Sequence, residues 1–223
     1  MALRGYRLDP QAGPYQTVWI DTRRGEVECR YYPVADARAA ALCVGGVGGG
    51  FDSPVRGECY PRLCEMLPAH GVAALRVRFR HATDLLEATL DVLAGLHFLD
   101  EQGIRAAALV GHSFGGAVVI QAAAMSPIVR AVATLATQSY GTDPAAELSP
   151  RCALLILHGT DDNVLPPHCS RHLYDLAGEP KRLLLYPGAR HGLDETGNEV
   201  IDTLRDWIVA TLGAAVAEVG PAS

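Results

Sequence analysis

The chain has 223 residues, of which 49% are hydrophobic and 20% charged, with a formal net charge of −6. Length and composition together support a large buried core and exclude a disordered polymer, and a single domain over 1–223 is the default for an α/β chain of this size. The acidic balance argues against a nucleic-acid binder, and no apolar run reaches the ~18 residues of a membrane span.

In chain order, the first fourteen residues, rich in Gly and Pro, read as weakly structured. Segments 15–21 and 26–32 read as two strands around the turn Thr22-Arg-Arg-Gly25, pairing antiparallel at one edge of a sheet. The pattern then changes. Short apolar runs without alternation occur at 39–44, 72–77, 106–110, 129–136, 153–157 and 182–186. Such runs suit parallel strands covered on both faces. Helical spacing appears between them, over 56–69, 83–99, 114–125, 167–177 and 195–212. In 83–99, Leu85, Thr89, Val92, Leu96 and Leu99 form one stripe, with Asp84 and Glu87 in the first turn, where the helix dipole favours them. The small-residue segment 213–223 reads as loose. The alternation predicts an α/β fold, a mostly parallel twisted sheet of about eight strands with helices on both faces.

The start, Met1 to Arg7, lacks the apolar stretch of a secretory signal, so a cytoplasmic protein is expected. The six cysteines (Cys29, Cys43, Cys59, Cys64, Cys152 and Cys169) include no CxxC pair and read as free, mostly buried thiols.

Ligands of such sheets bind at the carboxyl ends of the strands. There, the strand 106–110 runs into Gly111-His-Ser113-Phe-Gly115 and then a helix. This G-x-S-x-G turn needs glycine on both sides and lifts a serine hydroxyl above the sheet, at the positive end of the next helix. A serine hydroxyl needs a base, and the base an orienting carboxylate. Asp161 and Asp162 follow the strand 153–157, and His191 follows the strand 182–186, in the order Ser…Asp…His. The Gly-rich loop 45–50 follows the strand 39–44. A tetrahedral oxyanion needs two N–H donors, one from Phe114 after the serine and one from this loop.

These motifs together resemble the α/β-hydrolases, in their small, lidless, dienelactone-hydrolase-like subgroup. The resemblance covers about residues 15–210: Gly111–Gly115 matches the nucleophile elbow, His158-Gly-x-x-Asp162 with Pro166 the acid loop, and Gly188-x-x-His191-Gly the histidine loop. It implies a catalytic Ser113, Asp162 and His191, selects Asp162 over Asp161, and points to Val47 as the second oxyanion donor. Dienelactone hydrolases carry cysteine where this chain has Ser113, so their substrate is not carried over.

The remaining histidines read as weaker bases. His158 opens a structural turn, His112 is the variable elbow residue, and His168 and His172 lie on a solvated helix face. Gly46, Arg80, His112 and Gln138 are candidate substrate contacts by position, as are His81, Ser139 and Tyr140. The short 137–152 connection leaves no room for a cap domain, which points to an open site and short acyl groups, acetyl to hexanoyl.

The reading is a serine carboxylesterase that forms an acyl-enzyme. The alternatives are a thioesterase, peptidase or acyltransferase with the same residues, or a non-hydrolytic binding protein on this fold. The expected partner is a small-molecule ester, with no nucleic acid and no membrane. No metal or organic cofactor is required, and a homodimer is left open.

Overall fold

The computed structural model describes residues 3–11 and 13–219. Strands β1 (Leu3–Leu8), β2 (Gln16–Thr22) and β3 (Gly25–Tyr32) form an antiparallel meander, and β3 pairs antiparallel with β5 (Val72–Val77). The strands β4 (Ala39–Val44), β6 (Ala106–His112), β7 (Val129–Leu135), β8 (Ala153–Gly159) and β9 (Lys181–Tyr186) continue the sheet, all parallel to β5. The order is β1-β2-β3-β5-β4-β6-β7-β8-β9, nine described strands where the sequence pattern suggested about eight.

The helices α1 (Cys59–Met66) and α5 (Asn198–Val219) cover one face of the sheet. The helices α2 (Leu85–Glu101), α3 (Phe114–Met125) and α4 (His168–Leu176) cover the other. On β4, Ala40, Leu42 and Val44 enter the α2–α3–α4 core, while Ala39, Ala41 and Cys43 enter the α1–α5 core. Burial on both faces is why this strand reads as an unbroken apolar run. All six cysteines are buried free thiols.

The chain leaves β4 towards β5 on one side, then crosses over to β6 on the other. The connections after β4 and β6 therefore diverge at one switch point, which in open parallel sheets is where the ligand crevice lies. The sheet order thus brings the Gly-rich loop beside the G-x-S-x-G turn.

Two expectations are corrected at the termini. Within the first fourteen residues, 3–8 are not weakly structured, because β1 is an edge strand held by partners distant in sequence, while residues 1, 2 and 12 of that expectation lie outside the described residues. The Tyr6 ring meets Phe98 edge-on at 4.9 Å, and Arg7 stacks 4.7 Å over Trp19. At the other end, α5 runs through the segment expected to be loose as far as Val219. Alanine is the best helix former, and Ala215 is buried against the α1–α5 core. Residues 220–223 of that expectation lie outside the described residues.

The helix expected from 83 begins at Leu85, because Asp84 is its N-cap and accepts from the Glu87 N–H at 3.0 Å. The helix expected from 195 begins at Asn198, because Glu195 lies in a 3-10 turn and binds Arg190 at 2.8 Å. Among the described residues, no helix is long and apolar enough to cross a membrane.

Candidate active site

Ser113 lies between β6 and α3 with φ 56° and ψ −119°, a left-handed conformation that a side chain rarely adopts. The turn is held by its neighbours. The Ser113 N–H donates to the Leu135 carbonyl at 2.8 Å, and the Gly116 N–H donates to the Ser113 carbonyl at 3.1 Å. Both motif glycines are sterically required. A Cβ on Gly111 would come 2.2 Å from the Gly115 carbonyl oxygen, and one on Gly115 would come 2.2 Å from that of Gly45. The second contact locks the elbow against the Gly-rich loop.

The loops after β8 and β9 are laced together. The Asp161 N–H donates to the Ala189 carbonyl at 3.0 Å, the Thr160 N–H to Tyr186 at 2.9 Å, and the Gly188 N–H to Thr160 Oγ1 at 2.8 Å. This lacing brings three side chains into one row. His191 Nδ1 lies 2.8 Å from Asp162 Oδ2, and His191 Nε2 lies 3.1 Å from Ser113 Oγ. With Nδ1 donating to the carboxylate, Nε2 is left to accept from the serine hydroxyl.

Asp162 is held on every side. Its Oδ1 accepts from the Val164 and Leu165 N–H groups at 2.8 and 2.9 Å, and its side chain is fully buried. Burial pushes the carboxyl up. The His191 contact and the Leu165 and Val164 donors outweigh that and keep it below the usual aspartate range. Asp161 is exposed and accepts only from Thr160 Oγ1, at 2.9 Å, among the described residues, so the row is built on Asp162.

His158 sits behind Asp162, fully buried, with Nε2 2.8 Å from the Leu165 carbonyl and 3.1 Å from Asp162 Oδ2. Both neighbours are acceptors, so we assign its proton to Nε2, and Nδ1 accepts from the Ser170 hydroxyl at 2.6 Å. Burial lowers its pKa and keeps it neutral. It is a structural histidine, in agreement with the sequence reading.

His112 is not a substrate contact. It is 7% exposed, its ring packs 4.9 Å from that of His191, and its Nε2 donates to the His191 carbonyl at 3.0 Å. Its Nδ1 is buried with no hydrogen-bond partner among the described residues. Burial holds its pKa down. His112 therefore fixes the backbone of the histidine loop. Residue type and place were legible in the sequence, but the direction of the ring was not.

Arg80 is a second correction. Its Nε binds Asp91 at 2.5 Å, its Nη2 binds Glu87 at 3.0 Å, and its Nη1 donates to the Arg24 carbonyl at 2.5 Å. Glu87 also pairs with Arg24. With 10% of its side chain exposed, Arg80 ties α2 to the β2–β3 turn and has no donor directed at a substrate.

On the side of the Gly-rich loop, Phe114 opens α3, so its N–H has no acceptor within the helix. Gly46 lies against the serine, since a Cβ there would meet Ser113 Cβ at 3.3 Å. Val47 follows and is 58% exposed. Sequence reasoning missed what holds this loop. Asp52 accepts from the Ser53 N–H at 2.8 Å and turns Oδ2 towards the Gly46 N–H at 3.4 Å. The buried Arg76 donates to the Phe51 carbonyl at 2.6 Å. An arginine inside an apolar strand run was the available signal.

Val47 and Phe114 line a cleft of about 900 Å³ shared with Leu86, Met125, Gln138 and Tyr140. Gln138 thus reaches the cleft, where its Nε2 donates to the Tyr140 carbonyl at 2.9 Å. The 137–152 connection carries one short 3-10 turn (Asp143–Glu147). It is pinned by Ala145 and Leu148 in the α2–α3–α4 core.

This architecture is the α/β-hydrolase fold. Est1E from Butyrivibrio proteoclasticus superposes with a TM-score of 0.74 at 17% identity, over 88% of this chain and 99% of that one. A dienelactone hydrolase from Anabaena variabilis superposes with a TM-score of 0.73 at 19% identity, over 89% and 99%. Within that fold, the chain belongs to the dienelactone hydrolase family, whose model matches residues 67–211. The uncharacterized protein YfhR of Escherichia coli O157:H7 is 33% identical over 120 residues, covering 53% of this chain and 40% of that protein. The match thus spans less than half the length of that curated relative.

Proposed function

We propose that this protein is a serine hydrolase that cleaves carboxylic esters of small, short-acyl substrates through an acyl-enzyme. Ser113 Oγ attacks the ester carbonyl carbon while His191 Nε2 takes its proton. The oxyanion that forms is held by the Phe114 and Val47 amides. Asp162 keeps His191 in the tautomer with Nδ1 protonated and stabilises the imidazolium. His191 then gives its proton to the leaving alkoxide, which departs as the alcohol. A water molecule, deprotonated by His191, attacks the acyl-enzyme, and the acid leaves as Ser113 recovers its proton.

The observation that carries this reading is the single imidazole of His191 bridging Asp162 at 2.8 Å and Ser113 at 3.1 Å. The strained elbow and family membership support it. A fluorophosphonate probe is expected to label the peptide containing Ser113. Ser113→Ala is expected to retain the fold and to lose kcat on p-nitrophenyl acetate by about 10⁵-fold or more. An active Ser113→Ala protein, or a label on another residue, would remove the proposal. An ester, thioester and amide panel on the same preparation ranks the substrate classes.

A further inference from the structure

We infer that the cleft beside Ser113 is the acyl site and that the acyl groups it takes are uncharged and apolar, a reading that rests on the esterase function proposed above.

The first argument is the composition of the cleft. Val47, Leu86, Met125 and Tyr140 are 58%, 65%, 62% and 78% exposed, and they are four of the seven exposed large hydrophobics among the described residues. All four line this one cleft. Single exposed apolar residues are ordinary, but a contiguous group rimmed by polar residues marks a ligand site. At about 900 Å³ the cleft is near the upper end of the range for small-molecule sites, roughly 300–1,000 Å³.

The second argument is direction. The leaving oxygen must receive its proton from His191 Nε2, so the leaving group departs on the His191 side. Among the described residues, none from 158–166 or 187–192 lines the cleft, whereas Val47 and Phe114 both do. A carbonyl oxygen held by those two amides leaves the acyl substituent in the cleft and the alcohol on the histidine side. From Phe114 the cleft runs along α3 past Gln121 to Met125, three turns down the helix.

The third argument is charge. Asp84 is the only charged residue lining the cleft among the described residues. Arg80 is committed to Asp91 and Glu87. The basic residues Arg23, Arg24 and His81 line a separate polar hollow of about 480 Å³, on the far side of Thr83 and Asp84. A carboxylate on the acyl group would face Asp84 and meet no cation among the described residues that line the cleft.

The test is a series of p-nitrophenyl acetate, butyrate and hexanoate with the wild type, Leu86→Ser, Met125→Ser and the distant control Leu8→Ser. Full burial of each CH₂ is worth about fourfold in affinity, and a chain covered on one side gains about twofold. The hexanoate-to-acetate ratio of kcat/KM is therefore expected to be about tenfold or more. It should fall at least about threefold in Leu86→Ser and Met125→Ser and hold in Leu8→Ser. General structural damage would lower both rates together and leave the ratio unchanged. Mono-p-nitrophenyl succinate is expected to react at least about tenfold more slowly than the butyrate, and hexyl acetate no faster than ethyl acetate.

An unchanged ratio in both cleft variants, a gain that follows the alcohol chain, or a succinate faster than the butyrate would each overturn the assignment. If Ser113 is labelled by fluorophosphonate but the acyl series is flat, only the acyl assignment fails. If no ester is turned over and Ser113 is unlabelled, the esterase reading fails and takes this assignment with it.

Discussion

The two sides of Ser113 are built on opposite principles. On one side, Asp162, His158 and His112 are buried and hydrogen-bonded to fixed partners, and His191 bridges them to the serine. On the other side, Leu86, Met125 and Tyr140 are exposed, and Asp84 is the charged residue that lines the cleft with them among the described residues. The difference fits the role proposed for each side. Proton transfer needs donor and acceptor within a few tenths of an ångström, and a buried network supplies that rigidity because each unpaired polar atom there is costly. An apolar surface gains only when a ligand covers it, so it must stay open until then.

The largest expected effect breaks the polar side at its acid. Asp162→Asn should favour the wrong His191 tautomer and lower kcat by about 10⁴-fold, while Asp161→Asn should stay within about twofold. Stopped-assay kinetics on p-nitrophenyl butyrate measure both. A reversal of the two would move the acid to Asp161.

A smaller effect sharpens the comparison at His112. His112→Phe keeps the shape of the ring but removes the Nε2 donor to the His191 carbonyl, so kcat should drop about tenfold, with little change in KM. His112→Gln places an amide N–H near the same carbonyl and should recover most of the loss. Equal damage in both variants would mean that packing, not the hydrogen bond, is what matters.

The smallest effect is on stability, and it has a definite sign. Burial lowers the pKa of His112 and of His158, so both stay neutral in the fold while the unfolded chain takes up protons below about 6.5. Stability should therefore fall between pH 7 and 5. Asp162 contributes in a lower window. Its folded pKa is depressed, so its contribution is present above the unfolded value of about 3.9 and is lost as pH falls through the folded one. Tm measured from pH 7.5 to 3 should decline in these two stages. His112→Gln should flatten part of the first, and a flat Tm from pH 7 to 5 would contradict neutral buried imidazoles.

How much of this was legible varies with the range of the forces involved. The parallel strands β4 to β8 could be read from sequence because burial on both faces leaves an apolar run in the residues themselves, whereas β9, at the edge and only half-buried, keeps its Leu183-Leu-Leu185 run beside Lys181 and Arg182. The elbow could be read because the close approach of Gly111 and Gly115 to backbone excludes any side chain there. Strand β1 could not, since its stabilising contacts are with Trp19 and with Phe98 on a helix far along the chain.

The residue types and order of Ser113, Asp162 and His191 were determined by the sequence alone, together with the sheet that lifts them to one rim. Only the tertiary structure decided where the long polar side chains point. Arg80 follows a strand end, as a substrate contact would, yet Asp91 and Glu87 on α2 hold its guanidinium. His112 sits beside the serine, yet the carbonyl of His191 turns its ring inward. Backbone sterics and burial periodicity act between neighbours and are written locally. A charged or polar head at the end of a flexible stem goes to whichever partner the fold brings within hydrogen-bond reach, and that partner lies elsewhere in the chain.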